Sequence, residues 1–192
     1  MKNIFPQESK FQICETSLSG LFLIERRANF DARGSFEKLF CSEELRPIWG
    51  ERVIQQNNIS LNTKAGTIRG LHYQVGKYSE SKIVSCIKGR IFDVILDLRE
   101  NSDTFGLWTS FELSLENKKS VFIPEGFAHG FQTLEDDVIV NYCHSSRYSK
   151  PHERGVNVFD KRLNINWPID NFSISERDNS LPNFDNSCRV KI

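Results

Sequence analysis

A chain of 192 residues is long enough to bury a substantial core in one domain, and 39% apolar against 26% charged residues is an ordinary globular composition. Lysine plus arginine equals aspartate plus glutamate at 25 each, so the overall field favours neither nucleic acid nor a membrane surface, and an anionic ligand needs a local basic cluster. Cys14, Cys41, Cys86, Cys143 and Cys188 form no C-x-x-C pair, which argues against a disulfide framework or a structural zinc site. The polar stretch Met1 to Lys10 lacks the apolar run of a signal peptide, and no segment approaches the roughly 20 apolar residues that cross a bilayer; the chain reads as cytoplasmic.

In chain order, the first expected strand is 21–25, followed by the turn Ala32-Arg33-Gly34 and a strand at 35–40. Ser42 is placed to cap a short helix to residue 48, with Glu43 and Glu44 near its positive end. A strand at 53–62 stops at Lys64-Ala65-Gly66, and one at 83–87 stops at Lys88-Gly89-Arg90. Next, Phe92, Val94, Leu96 and Leu98 alternate with Ile91, Asp93, Ile95 and Asp97, the period of a strand buried on at least one side. Strands at 108–114, 120–123 and 138–144 follow, with turns at Glu116-Asn117-Lys118 and Pro124-Glu125-Gly126. A second short helix is expected at 175–179, with Ser175 as its cap. Many short strands, scarce helix and no repeat or linker predict one all-β domain over 1–192, a sandwich, jelly roll or barrel, with a tail from about 183. The glycines of 66–72 do not match a dinucleotide fingerprint.

Four segments carry ionisable residues within the apolar strand pattern. In Arg69-Gly-Leu-His72-Tyr-Gln74, strand geometry puts Arg69 and Leu71 on one face and Gly70, His72 and Gln74 on the other. Lys82 opens the strand Lys82-Ile-Val-Ser-Cys-Ile. The tight turn Pro124-Glu-Gly-Phe-Ala-His129-Gly-Phe131 delivers a histidine between aromatics, and Tyr142 is followed by Tyr148 and Glu153. Taken singly, each has a plain structural reading: His72 as a satisfied strand residue, Lys82 as a solvated edge, Tyr142 as a rim aromatic, His129 as a turn brace. A metal-binding jelly roll wants two histidines one residue apart and a nearby glutamate; Gln74 and Gly70 flank His72 instead, and His72, His129, His144 and His152 are all the histidines there are. No metal is expected.

Together the motifs say more. Gly66-Thr-Ile-Arg-Gly-Leu-His-Tyr-Gln74, Asp93-Val-Ile-Leu-Asp-Leu-Arg99, Ile123-Pro-Glu-Gly-Phe-Ala-His-Gly-Phe131, Glu153-Arg-Gly155, Trp167-Pro168 and Ser175-Glu-Arg-Asp178 occur in that order. The sequence from about 21 to 182 strongly resembles the dTDP-4-dehydrorhamnose 3,5-epimerase family. The resemblance implies a double-stranded β-helix (the cupin jelly roll), a homodimer sharing N-terminal strands, no cofactor, and a dTDP-linked deoxyhexose with a ketone at C4. It gives His72 the part of base, Asp178 the carboxylate that orients it, Lys82 the cation at the enolate oxygen and Tyr142 the acid on the opposite face. Arg33, Gln56, Asn58, Arg69 and Arg177 resemble the nucleotide and diphosphate contacts, while His129, Tyr148 and Glu153 fall at the sugar end.

The chemistry accounts for these residue types. A C–H bond beside a ketone is acidic because its carbanion spreads onto the oxygen, so a base, an oxygen-stabilising donor and an opposed acid are required. Two departures from the family pattern fall near the nucleotide: Lys38, preceded by Glu37, stands where many members have glutamate, and the segment between Ser60 and Arg69 is one residue longer than in some relatives. The leading expectation is inversion at C3 and C5, taking dTDP-4-dehydro-6-deoxyglucose to dTDP-4-dehydrorhamnose. A relative inverting one centre would use the same base and acid. A non-catalytic sugar-nucleotide-binding module is disfavoured by the joint presence of His72, Lys82, Tyr142 and Asp178.

Overall fold

Two faced sheets follow from the period-two pattern, and the strand order sets what lies between them. The computed structural model describes residues 9–192, so most of the polar N-terminal stretch lies outside the described residues. In chain order the elements are β1 (Phe11–Glu15), β2 (Phe22–Arg26), β3 (Asn29–Asp31), β4 (Gly34–Phe36), α1 (Arg46–Trp49), β5 (Gln56–Asn62), β6 (Thr67–Gln74) and β7 (Lys82–Lys88). There follow β8 (Arg90–Asp97), β9 (Trp108–Ser114), β10 (Lys119–Ile123), β11 (Phe127–Thr133), β12 (Val138–His144), β13 (Glu153–Gly155), β14 (Ser173–Ile174) and α2 (Glu176–Asn179). One sheet runs β1-β2-β10-β7-β12-β5 and the other β13-β6-β11-β8-β9, with β14 added parallel to β6. This is a jelly-roll sandwich, one of the all-β forms the strand spacing allows and the one the family resemblance implies.

Alternation sorts the side chains into three packed layers. Between the sheets lie Leu23, Val84, Cys86, Ile91, Ile95, Val121, Phe131 and Val140. The outer face of the second sheet, Ile68, Leu71, Val94 and Leu96, is covered by Val156, Val158, Leu163, Cys188 and Val190. Strand β8 is therefore buried on both faces, and the tail beyond 183 packs rather than trails. The outer face of the first sheet, Ile13, Ile24, Ile83 and Phe122, is covered by Leu45, Ile48 and Trp49 around α1.

Four local expectations need correction. The helix expected over 42–48 starts at Arg46, with Leu45 at its cap and no side-chain cap bond. Pro47 favours the first helical turn, and Glu44 is drawn away to the Lys10 amide and the Lys38 ammonium. The strand at 35–40 is only the second arm of the β3–β4 hairpin, and the strand at 53–62 begins at Gln56. Lys82 is not a solvated edge residue; it is 5% exposed and faces the interior.

At the β8 terminus, the fully buried Asp97 accepts from the Arg99 guanidinium at 2.7 Å and from the Ser102 and Thr104 hydroxyls at 2.6 Å each. Burial pushes its carboxyl up, but these partners outweigh it and leave the value below the ordinary one. A lowered folded value stabilises above the unfolded value and stops doing so as pH falls through the folded one. Asp97→Asn is expected to cost about 2–4 kcal/mol in urea unfolding at pH 7. The gap from the parent should narrow below about pH 4.

Candidate active site

At one end of the sandwich the inward faces change from apolar to polar. On β12, Val138 and Val140 give way to Tyr142 and His144; on β7, Cys86 and Val84 give way to Lys82; on β11, His129 stands between Phe127 and Phe131. With β5 and β6 these strands enclose a cavity of about 340 Å³, lined among others by Arg69, His72, Lys82, His129, Tyr142 and Tyr148. His72 and His129 come from the second sheet, Lys82 and Tyr142 from the first. His72 and Tyr142 therefore approach any occupant from opposite sides.

Each group is held. His72 Nε2 meets Asp178 Oδ1 at 2.8 Å, and Asp178 Oδ2 accepts from the Gly70 amide at 3.1 Å. Asp178 is in turn fixed by α2, whose cap, Ser175, accepts from the Asp178 amide at 3.1 Å. Burial pushes the Asp178 carboxyl up, but the bond and charge of His72, the Gly70 amide and the Arg177 charge together outweigh it and leave it below the ordinary value. An ionised Asp178 makes Nε2 the protonated nitrogen, which leaves Nδ1 free to accept a proton.

Tyr142 lies 3.4 Å from the Ser60 hydroxyl, edge-on to His129 and stacked with His144. Burial raises its phenol well above the ordinary value, so it stays protonated until a strong base arises beside it. His129 Nε2 meets the buried Asp93 at 2.7 Å. Burial pushes the Asp93 carboxyl up and the His129 imidazole down, each disfavouring its charged form. Arg69 Nε is braced by Asn62 Oδ1 at 2.7 Å, and Glu153 holds Arg177 at 2.6 Å and the Tyr148 hydroxyl at 2.8 Å. A base, an opposed acid, a buried cation and a basic rim around one cavity suit proton transfer beside a carbonyl on an anionic substrate.

The sequence profile of the dTDP-4-dehydrorhamnose 3,5-epimerases matches residues 15–186. The chain belongs to that family. It is 41% identical over 167 residues to the dTDP-4-dehydrorhamnose 3,5-epimerase of Shigella flexneri, covering 86% of this chain and 92% of that one. Among solved structures it resembles the dTDP-6-deoxy-D-glucose-3,5-epimerase of Legionella pneumophila, in complex with dTDP-4-keto-L-rhamnose. That pair has TM-score 0.88 and 33% identity, covering 95% of this chain and 98% of that one. It also resembles a 3'-monoepimerase of Streptomyces bikiniensis, in complex with dTDP-quinovose, with TM-score 0.81 and 31% identity over 88% of this chain and 85% of that one.

Of the residues singled out in this epimerase, His72, Lys82, Tyr142, Gln56, Asn58, Arg69, His129, Tyr148 and Glu153 line the one cavity. Asp178 stands behind His72 and Arg177 behind Glu153. Arg33 does not join them. It lies at the tip of the β3–β4 hairpin, 90% exposed, and among the described residues its ion pair is with Asp31 at 2.6 Å. Among the described residues of the epimerase, no group of three or more His, Cys, Asp or Glu is placed as a metal-ligand set, and no helix is long and apolar enough to cross a membrane.

Two placements differ from the strand expectation. Arg69 shares the cavity side with His72, while Leu71 packs outward. The β6–β11 register shifts between the His129–His72 and Phe131–Arg69 pairs, which resets the alternation at Gly70. Gly70 has φ +122°, and a Cβ there would sit 2.5 Å from Gly130 Cα, so this crossing requires glycine on both strands. His129 lies mid-strand rather than in the turn. Asp93, Glu80, His144 and Ser60 were not singled out as site residues. Asp93 is a carboxylate in an apolar run, His144 stands two residues from Tyr142 on the same strand and so on its face, and Glu80 lies just before the strand that Lys82 opens.

Proposed function

We propose that this epimerase inverts C3 and C5 of a dTDP-4-keto-6-deoxyhexose, taking dTDP-4-dehydro-6-deoxyglucose to dTDP-4-dehydrorhamnose. The observation that carries the reading is the facing of His72, backed by Asp178, against Tyr142 across a single cavity with Lys82 buried beside it. In this reading His72 Nδ1 takes the proton from the carbon next to the ketone. The Lys82 ammonium meets the charge that collects on the ketone oxygen. Tyr142 returns a proton from the opposite side, and the centre is inverted. Repetition at the second flanking carbon needs His72 to release its proton to solvent, Tyr142 to regain one, and the sugar to re-seat against the same pair.

Incubation with the 4-keto substrate in D₂O, followed by NMR of the sugar, tests this: deuterium at both C3 and C5 is expected. Label at one carbon alone would select the single-centre reaction, and no label would overturn both.

The diphosphate falls to Arg69 and Arg177, whose planar guanidinium groups match phosphate oxygens. With zero net charge over the whole chain, this local pairing carries the anion binding. Arg69→Ala is expected to raise the dTDP dissociation constant about 10- to 100-fold by calorimetry. An unchanged constant would remove Arg69 from the binding site.

A homodimer completes the reading. Phe30 and Phe36 on the β3–β4 hairpin are 71% and 73% exposed, and Ile59 and Leu61 on the outward side of the edge strand β5 are 60% and 62% exposed. Such apolar area wants a partner surface, and a hairpin laid on a second copy would carry Arg33 toward that copy's nucleotide end. The free thiols of Cys41, Cys86, Cys143 and Cys188 suit a reducing, cytoplasmic setting.

A further inference from the structure

Behind Lys82 lies a cluster that none of these roles uses. The Lys82 ammonium meets Glu80 Oε1 at 3.2 Å, both side chains being nearly buried. The other carboxylate oxygen, Oε2, faces His144 Nδ1 at 3.1 Å and accepts from Gln74 Nε2 at 3.2 Å. Gln74 is itself tied down: it shares its two Nε2 hydrogens among Glu80 and the Tyr78 and Arg147 carbonyls, all at 3.2 Å, and accepts the Ser149 amide at 2.7 Å. His144 sits directly across from Lys82 in the β12–β7 pairing and stacks on Tyr142. One oxygen of Glu80 is thus clamped from β6 and β12, and the other is presented to β7.

A lysine ammonium is a point charge on a flexible four-carbon stem, so its partner decides where it stands. Buried without a counter-charge, it tends to lose its proton or its place. A group that stabilises a developing oxyanion has to be charged and in position beforehand. We propose that Glu80 is a positioning residue for Lys82: clamped by His144 and Gln74, it holds the ammonium at the ketone end of the cavity and supplies its counter-charge. The inference rests on the enolate role given to Lys82 above.

Burial pushes the Glu80 carboxyl up, but Lys82 and His144 outweigh it and hold it at about 2, so Glu80 is an anion throughout the neutral range. Asp93 and His129 also act on Lys82 electrostatically. They pair with each other, however, and Glu80 is the carboxylate in contact with the ammonium.

A double-mutant cycle with E80Q and K82M tests this, read by deuterium incorporation at C3 and C5 and by calorimetric dTDP affinity. E80Q preserves size and an acceptor oxygen while removing the charge. It is expected to lower kcat about 10- to 100-fold with dTDP affinity within about two-fold of the parent, and to add no loss once Lys82 is methionine. A kcat for E80Q within about two-fold of the parent, or an equal fractional loss with and without Lys82, overturns the inference. Should E80Q melt early, E80D, which keeps the charge but draws the carboxylate back from the ammonium by one methylene, takes its place in the cycle with the same two outcomes. Failure of the underlying reading is separately visible, because K82M would then turn over like the parent.

Discussion

Replacement of His72 by alanine is expected to lower kcat by about 10²- to 10⁴-fold, the span contributed by one positioned acid–base group. The Kd for dTDP should stay within about two-fold of the parent. The expectation rests on a division of labour within the cavity. His72 reaches it from β6 with Nε2 committed to Asp178 at 2.8 Å, while the guanidinium of Arg69, braced by Asn62, stands ready for the anionic end of the ligand. Losing the imidazole removes the proton acceptor and leaves the phosphate contacts alone. His72 is half-buried at the cavity wall rather than packed in a core layer, so folding should tolerate the change. A single-turnover assay beside calorimetry on dTDP separates the two quantities. Equal losses in both would make His72 a binding residue.

Tyr142→Phe should separate abstraction from inversion. The variant keeps the ring between His129 and His144 and gives up only the hydroxyl facing Ser60. Inversion should fall by about 10²- to 10⁴-fold. His72 and Lys82 are untouched, so the carbon acid still ionises, and His72 returns solvent deuterium to the side it came from. The expected result is label entering C3 and C5 with retained configuration, faster than any epimer appears. If exchange instead falls as far as inversion, Tyr142 acts before or during abstraction and the assignment of acid to the first sheet is wrong. The raised phenol value belongs to the same argument, because a phenol that resists ionisation gives up its proton to a carbanion and not to water.

Much of the architecture could be read from alternation. Strands β9 and β12 fall where expected, at 108–114 and 138–144, and in β8 both phases are largely apolar because both faces are covered. Helix α2 and its cap are legible because Ser175 satisfies an otherwise orphaned amide, a bond made within four residues. What escaped the sequence depends on distant partners. Strand β11 reads as a turn because Gly126 and Gly130 punctuate it, yet Gly130 is there for its close approach to Gly70 on β6. The face of Arg69 depends on a register shift set by the opposite strand.

The site divides in the same way. His72, Lys82, Tyr142 and Asp178 were assigned through motif resemblance, and the cavity brings the first three together with Asp178 behind. Glu80 and His144 were legible in principle, each two residues from one of these. The bridge they make to Lys82 joins segments 62 to 64 residues apart, which local pattern does not reveal. Arg33 sits on a hairpin whose apolar faces are open, so its place depends on a surface beyond this chain.

The strand order of the first sheet, β1-β2-β10-β7-β12-β5, has a kinetic consequence. After the β1–β2 pair every neighbour is distant in sequence, so loop-closure entropy is spent before most of the sheet's pairings form. Topologies of this kind fold in about milliseconds to seconds rather than microseconds. The cavity takes residues from β5, β6, β7, β11 and β12, strands belonging to both sheets. No early fragment can carry a working site, and in refolding from urea catalytic competence should return with the same rate constant as the last cooperative phase.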